Sequence, residues 1–394
     1  MVSCDDTAVC ILKSSKEILS SRRYANRDVQ KRLGGICPAV AADQHRSYIE
    51  RFVDECLNES GMRLCDLSGL AVTTKPGLVI SLRVGVSKAV SLAKKGRLPL
   101  ISVHHMQAHA TIATLLKPIL YPYVSLLISG GHCIIAVTNG PDDFDVLLFS
   151  ISGSPGECLD KIGRSLDFTD PELLHMHPGA ALEVMASRHV RTFCPLYKLY
   201  CFHYPAHFYH RYLIDIERFL KMTLHFNFSW IKSAYLVKIS KHCNVNVPDF
   251  CASVQHSVAS YLAEKLRHCL QYLNESNKIP VCNRLVFVSG GVASNKYILS
   301  MLRNVCESLG YNIFAPPPMY CCDNAEMIAW NGQQLLAKRA ASIISAEKIP
   351  PSILVSSRSP IGIDISSELR RYLKMPTETS AEVALRQRHT LRCL

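Results

Sequence analysis

Two histidines and a distant aspartate are the residues of this chain best placed to do chemistry. His105 and His109 are four residues apart, so on a helix both imidazoles face the same side and can bind a single cation. Asp323 lies far downstream, in the segment CCDNAEMIAWNG, and offers the harder oxygen ligand that completes many such sites. Three protein ligands would leave a coordination position open for a substrate. The pattern therefore predicts a catalytic site for one divalent cation.

The spacing of the two histidines is also found in zinc proteases, which makes a metalloprotease an alternative. Those enzymes need a glutamate directly after the first histidine, because it activates the attacking water. Here Met106 follows His105, and the next residue is Gln107, which cannot accept a proton. The neighbouring residues therefore argue against proteolysis.

Two Ser-Gly-Gly turns follow apolar runs, Ser129-Gly130-Gly131 and Ser289-Gly290-Gly291. Glycines let the main chain approach a phosphate closely, and the amide groups of such turns bind anions. The pair suggests two lobes that hold a phosphate-bearing ligand between them, although plain tight turns would give the same pattern.

Strand-like and helix-like runs alternate along the chain, which predicts an α/β fold. The predicted strands are 67–73, 98–103 and Leu285–Ser289, with a hairpin formed by 124–129 and 133–137. The predicted helices are 79–95, 252–274 and 295–309. Residues 189–247 have few clear periods and are interpreted as a divergent, partly loop-like segment.

Composition limits the partners and the compartment. A chain of 394 residues that is 48% hydrophobic can fill two lobes, and its net charge of +12 suits a polyanion such as a nucleic acid. The 17 cysteines are scattered without a CxxC pair, which favours a reducing compartment over a disulfide framework. No stretch has the length and apolarity of a membrane span, so no membrane association is expected.

The order of the motifs resembles the TsaD family, the universal tRNA threonylcarbamoyl-adenosine transferases. The motifs run from SCDDT (3–7) through AADQH (41–45), HHMQAHA (104–110), LISGGH (127–132), GECLDKIGR (156–164), PGAALE (178–183) and FVSGGVASN (287–295) to CCDNAEMIAWNG (321–332). The segments TKPGL (74–78) and SPIGIDIS (359–366) are most similar to the mitochondrial branch.

This resemblance implies a two-lobe actin/hexokinase/Hsp70-like (ASKHA) fold with the active-site cleft between the lobes. Residues 1–120 would form the first lobe, completed by C-terminal helices from about 325 to 394. Residues 121–324 would form the second lobe, with the divergent insert at about 189–247. Family members carry an apolar strand before SCDD, whereas only Met1 and Val2 precede it here, so we expect the first strand to be missing.

The implied reaction transfers a threonylcarbamoyl group from threonylcarbamoyl-AMP, supplied by a YrdC-like synthase, to N6 of adenosine 37 in tRNAs that read codons beginning with A. The resemblance further implies a mitochondrial homodimer with one divalent cation, iron or zinc, in each subunit. A catalytically weak nucleotide-binding regulator of the same fold is the alternative from another class. The pair of histidines with Asp323 favours the enzyme, since kinases of this fold do not need it.

The resemblance also assigns roles to individual residues. Asp5 and Asp6 match the acidic pair that orients the reacting groups, and His105, His109 and Asp323 match the metal ligands. The implied substrate-binding residues are Leu127, Ile128, Ser129, Gly130, Gly131, Asp160, Gly179, Glu183, Ser294, Asn295 and Cys322. Main-chain amides of 127–131 would hold a phosphate or carboxylate. Asp160 and Glu183 would contact the ribose, and Gly179 would let the sugar lie against the main chain. Ser294 and Asn295 would read the adenine.

Three positions depart from the family pattern. Gln107 replaces a glutamate, Cys322 replaces a threonine, and Trp230 replaces a glycine in HFNFSWIKSA, where Lys232 still matches. We expect the loss of a carboxylate near the metal from the first, and a different packing of the segment around Trp230 from the last.

Overall fold

The structure, a computed structural model, is described here for residues 6–26, 29, 35, 37–166, 168–193, 212–241 and 245–375. The strands are β1 (Thr7–Leu12), β2 (Ile18–Tyr24), β3 (Leu70–Lys75), β4 (Leu100–His104), β5 (Tyr123–Ile128), β6 (Cys133–Thr138), β7 (Phe144–Ser152), β8 (Phe226–Asn227), β9 (Leu285–Ser289), β10 (Asn312–Phe314), β11 (Ile343–Ile344) and β12 (Ile363–Asp364). The mixed α/β class predicted from the sequence is confirmed.

The helices follow in chain order. They are α1 (Pro38–Ser60), α2 (Val79–Gly96), α3 (His105–Leu116), α4 (Pro155–Arg164), α5 (Pro171–Leu174), α6 (Pro178–Phe193), α7 (Ile216–Met222), α8 (Phe228–Lys241), α9 (Val247–Ser276), α10 (Lys296–Ser308), α11 (Pro318–Cys321), α12 (Ala325–Lys338) and α13 (Ser366–Tyr372). The predicted helices therefore correspond to α2, α9 and α10, and the predicted hairpin is β5–β6, whose strands pair antiparallel.

Within the described part of the chain, none of the helices combines the length and the apolar character that a bilayer span requires.

The larger sheet has the order β10-β9-β5-β6-β7-β12, with β8 paired to β7. Strands β5 and β9 are parallel neighbours, and Leu127 lies opposite Ser289. Their carboxyl ends therefore meet at one edge, and both Ser-Gly-Gly turns belong to the same sheet. This placement agrees with the expectation that residues 121–324 hold both turns.

Gly290 lets these two strand ends approach each other. Its φ is +103°, and a Cβ built on it would lie 2.2 Å from the carbonyl oxygen of Ile128. Only glycine combines that backbone conformation with so close an approach. The second turn is therefore packed directly against the end of β5.

The core of the larger sheet is built largely by α9. Leu262, Leu266, Leu270 and Leu273 are completely buried, as their helical spacing predicts. The same helix buries Lys265, whose ammonium group donates a hydrogen bond of 2.9 Å to the carbonyl of Leu224. A buried ammonium is tolerated because main-chain carbonyls replace its water.

The described part of the divergent insert, 212–241, is more ordered than its sequence indicates. It holds α7, β8 and α8, and the side chains of Phe228, Ile231 and Tyr235 are completely buried in the core. Trp230 stacks on Phe219 of α7 with ring centroids 6.0 Å apart. The tryptophan that stands in place of the family's glycine therefore packs against α7. Two helices and a short strand thus occupy a stretch in which the sequence showed few clear periods.

The described residues also form two smaller sheets. Strands β1 and β2 form an antiparallel pair, while β3 pairs with β4 in parallel and β11 adds to β4. Helix α12 packs on β1, β3 and β4, as the expected completion of the first lobe requires. The lobe boundaries themselves stay a prediction.

A cavity of about 590 Å³ lies between β1 and β3. Both strands line it, together with apolar residues of α1, α2 and α12. In the described part of the chain, β1 pairs only with β2, and β3 pairs only with β4 and not with β1. The cavity therefore has two unpaired strand edges and two layers of helices around it, which is the environment of a buried central strand.

We predict that a chain extended before Met1 by an apolar strand melts several °C higher, because the strand would fill this cavity and pair with both edges. The measurement is a pair of thermal melts, with an extension of equal length in glycine and serine as the control. Equal midpoints for all three chains would contradict the prediction.

Candidate active site and metal centre

Helix α3 starts directly at the end of β4, and His104 fixes that junction. Its Nδ1 accepts hydrogen bonds from the main-chain amides of Met106 and Gln107, at 3.2 and 3.4 Å. Its Nε2 donates to the carbonyl of Ser359 at 3.3 Å. Burial lowers the pKa of His104 to about 3, so the ring stays neutral and can accept as well as donate. His104 therefore acts as the N-cap of the helix that carries the paired histidines.

The three predicted metal ligands lie together. The Nε2 atoms of His105 and His109 are 3.2 and 3.1 Å from the same oxygen of Asp323. The candidate ligand atoms all lie within 4.8 Å of one another, and the two imidazoles are about 5% exposed. The prediction that these residues meet is thus supported by the geometry.

The protonation states of His109 and Asp323 suit a cation. Burial lowers the pKa of His109, although the hydrogen bond that its ring donates to Asp323 raises it, so the ring is neutral at neutral pH. Burial would raise the pKa of Asp323, but attraction to His105 and hydrogen bonds from both histidines hold it well below its usual range. Neutral imidazole and ionised carboxylate are the forms that coordinate metals.

The donor set fits a divalent cation such as zinc or iron(II). Two imidazole nitrogens and one carboxylate oxygen are ligands that both metals accept, and three of them leave a position open. The Nδ1 atoms of His105 and His109 are buried, and they have no hydrogen-bond partner in the described part of the chain. The Nε2 atoms that face Asp323 are therefore the ones available for coordination.

Asp323 is held by the residues around it. It lies between α11 and α12, where Asn324 caps α12 by accepting a 2.8 Å hydrogen bond from the amide of Met327. The same side chain donates to the carbonyl of Cys322 at 2.9 Å, which fixes the peptide before the aspartate. Cys322 is half-buried beside the metal cluster, and α11 packs against the 291–294 segment after the second glycine turn.

The first glycine turn borders open space. Gly130 and Gly131 are exposed, and a Cβ built on either would meet nothing within 4 Å. The hydroxyl of Ser129 accepts hydrogen bonds from the amides of Gly131 and His132, at 3.2 and 3.0 Å. Leu127 and Ile128 are buried in β5 and can offer only main-chain groups. Room for an anion at this turn is therefore present, while its binding stays a prediction.

The two carboxylates predicted to contact the ribose each accept a hydrogen bond from a main-chain amide. Asp160 accepts a 3.0 Å hydrogen bond from the amide of Gly179, and the Nδ1 of His177 is 3.0 Å from the same oxygen. Glu183 accepts from the amide of Lys296 at 2.7 Å, and burial raises the pKa of this carboxyl. Both carboxylates are therefore held at helix starts, α6 for one and α10 for the other.

The two residues predicted to read the adenine differ in their exposure to solvent. Ser294 is exposed, whereas Asn295 is buried and caps α10 by accepting from the amide of Ile298 at 2.9 Å. The amide group of Asn295 also donates to Gln255 at 3.1 Å. Both ends of this side chain are thus used by the fold, and any contact with adenine stays a prediction.

Of the acidic pair in the first loop, the structure describes Asp6. Asp5 lies outside the described residues, and Asp6 is 3% exposed. Both oxygens of Asp6 accept from Arg23, at 3.2 and 3.3 Å. Gln44 and His45, from the AADQH motif, hold the hydroxyl of Thr7 beside it, at 3.3 and 2.7 Å. The two motifs are therefore in direct contact in the fold.

Two of the residues that shape the site were not found by sequence reasoning. His104 was overlooked beside the more conspicuous i, i+4 pair, although the doublet His104-His105 was visible. Arg23 gave no signal because its partner depends on the pairing of β1 with β2. Gln107 has a role other than the lost carboxylate: its amide donates to the carbonyl of Ile361 at 2.9 Å, which a glutamate could not do.

Comparison with known proteins agrees with this arrangement. The model of the family TsaD, tRNA N6-adenosine threonylcarbamoyltransferase, matches residues 17–330. The chain belongs to the TsaD family. The predicted enzyme class of this TsaD-family protein, a transferase, is thereby confirmed.

Two curated relatives of this TsaD-family protein cover nearly all of it. A protein of Caenorhabditis elegans, described as a probable mitochondrial tRNA N6-adenosine threonylcarbamoyltransferase, is 39% identical over 93% of this chain and 84% of its own. The mitochondrial tRNA N6-adenosine threonylcarbamoyltransferase of Xenopus tropicalis is 35% identical over 94% of this chain and 88% of its own. Both names agree with the predicted mitochondrial localisation.

A distant likeness to a solved structure is also found. Component A of the (R)-2-hydroxyglutaryl-CoA dehydratase of Acidaminococcus fermentans has a TM-score of 0.45 and 16% identity, covering 86% of this chain and 96% of its own. The fold assignment therefore depends on family membership and on the α/β sheets described above.

We predict that His105→Ala, His109→Ala and Asp323→Ala each lose most of the bound metal, because each removes one of three ligands. Elemental analysis of the purified proteins is the measurement, and His175→Ala, which changes an exposed histidine, is the control. Full metal occupancy in all three variants would show that the cluster is not a metal site.

Proposed function

We propose that this protein transfers the threonylcarbamoyl group of threonylcarbamoyl-AMP to N6 of adenosine 37 in tRNAs that read codons beginning with A. The donor would come from a YrdC-like synthase, and the reaction would take place in mitochondria. The observation that carries the proposal is the convergence of His105, His109 and Asp323 beside the edge where β5 and β9 end in glycine turns.

The reaction needs a polarised carbonyl, since the N6 amine of adenine is a weak nucleophile. A divalent cation bound by the three ligands would act there as a Lewis acid. The amine nitrogen forms a bond to the carbamoyl carbon, the bond from that carbon to the phosphate oxygen breaks, and AMP leaves with the bonding electrons. The amine releases one proton in the same reaction.

The chain's own residues would position the donor for this step. The exposed Gly130 and Gly131 provide main chain that an anionic group can approach closely. Asp160 and Glu183 would accept hydrogen bonds from the ribose hydroxyls with the lone pairs that their own main-chain partners leave. Cys322 and Ser294 would lie next to the donor because their segments pack together.

We further propose a homodimer with one cation per subunit, zinc or iron. The support is the similarity of TKPGL and SPIGIDIS to the mitochondrial branch of the family. A sedimentation measurement that finds only monomers at working concentrations would remove this part of the proposal.

We predict that the purified, metal-loaded protein forms the modified nucleoside when it is incubated with threonylcarbamoyl-AMP and an unmodified tRNA. Mass spectrometry of the digested tRNA is the measurement, and a tRNA with another base at the target position is the control. Asp323→Ala should abolish the product. A protein that binds the adenylate but forms no modified nucleoside would instead be the nucleotide-binding regulator.

We predict that tRNA binding weakens about tenfold or more between about 50 and 200 mM salt, because contacts of a basic protein with phosphates release counterions. Hydrolysis of the adenylate without tRNA should change far less over the same series, because its contacts lie in a cleft that bulk ions screen poorly. A flat response of tRNA affinity would mean that the charge of +12 has another purpose.

A further inference from the structure

Arg22 and Arg23 are neighbours in β2 that point in opposite directions. The pairing of β1 with β2 places Thr7 opposite Tyr24 and Ala8 opposite Arg23. Because side chains alternate along a strand, Asp6, Ala8 and Arg23 share one face of this pair. Arg22 lies on the other face, where it binds Glu55 and Glu59 of α1, at 3.0 and 2.7 Å.

The face that carries Arg23 is directed at the metal cluster. Ser21, two residues earlier on that face, donates a 2.7 Å hydrogen bond to Glu326 in the first turn of α12. Asp323 precedes Glu326 by three residues and lies just before that helix. The charge of Arg23 interacts with both Cys322 and Asp323. Arg23 is therefore a cationic group beside the cluster, supplied by a different sheet.

Asp6 holds the guanidinium of Arg23 and leaves part of it available. The Nε and Nη2 groups donate to the two oxygens of Asp6, which is 3% exposed. A guanidinium has five N–H donors, and the Nη1 group makes no hydrogen bond to any residue that the structure describes. The side chain of Arg23 is 30% exposed. A fixed guanidinium with free donors is well suited to bind carboxylate or phosphate oxygens.

We propose that Arg23 is a substrate-binding residue, which holds an anionic group of the donor beside the metal cluster, and that Asp6 is the residue that positions it. The inference rests on the proposed function and deepens it. It also specifies the expected orienting role of Asp6: a carboxylate bound on both oxygens by Arg23 orients that guanidinium, and through it the substrate. The anionic group is either the carboxylate of the threonyl part or the phosphate of the adenylate.

Arg23→Gln in the metal-loaded full chain is the direct test, with Arg22→Gln as the matched control on the opposite face. Calorimetry with N-carbamoyl-threonine, which has only the carboxylate, and with AMP, which has only the phosphate, separates the two sources. We expect affinity for one probe to fall about tenfold or more in Arg23→Gln and to stay unchanged in Arg22→Gln. The probe that is affected identifies the group that Arg23 binds.

Unchanged affinity of Arg23→Gln for both probes would overturn the proposal, and so would failure of the unaltered protein to bind either. Arg23→Lys keeps the charge without the planar fork and should give an intermediate affinity. If Arg23→Gln does not fold, because it leaves the buried Asp6 without its cation, the double variant Asp6→Asn/Arg23→Gln provides a neutral pair for the same comparison.

Asp6→Asn distinguishes positioning from base catalysis. A positioning role predicts weaker binding of the same probe, with KM for the donor rising more than kcat falls, while a base role predicts lost kcat at unchanged affinity. The second result would overturn the assignment of Asp6. If the protein binds its probes through Arg23 but never modifies tRNA, the proposed function fails while the role of Arg23 stands.

Discussion

One oxygen of Asp323 joins segments that are more than two hundred residues apart. It lies 3.1 and 3.2 Å from the imidazoles of His109 and His105, so this carboxylate, which is only 20% exposed, is hydrogen-bonded to both rings. Helix α3, which carries both histidines, packs on β5 and β9 of the larger sheet, while α12, which starts just after Asp323, packs on β1, β3 and β4. The cluster therefore ties the larger sheet to the smaller ones.

A second constraint is the lack of space where strands and helices meet at the glycine turns. A Cβ on Gly290 would lie 2.2 Å from the main chain of Ile128, and a Cβ on Gly156 would lie 2.8 Å from that of Gly130. The end of β9 and the start of α4 are thus pressed against the same turn. The main chain that borders the open side of this turn is fixed from behind, so a ligand would meet a preformed surface.

Periodic segments were predictable, and segments whose partners are distant were not. The apolar stripe of α9 and the hairpin β5–β6 follow from local spacing, because one helix face or one turn determines them. The meeting of His105 and His109 also follows from spacing. Asp323 was expected beside them as the usual oxygen ligand and from the family resemblance, since no local spacing places it there. The partners of Arg23, Gln107 and Asn295 depend on strand register and tertiary packing, which no local pattern encodes. The helices of the insert were not predictable for the same reason, since its buried aromatic residues pack against α9 and β7, which are distant elements.

Two hydrogen bonds link the start of α3 to a segment near the end of the described chain. His104 donates to the carbonyl of Ser359, and Gln107 donates to that of Ile361. Both acceptors are main-chain atoms, so these hydrogen bonds depend on the main-chain position of the segment and not on its side chains. A deletion or insertion around 359–361 would thus reorient the metal-binding helix without altering any ligand, whereas side-chain exchanges there would leave it in place. The length of this remote segment is therefore a geometric constraint on the metal site, although none of its residues is a ligand.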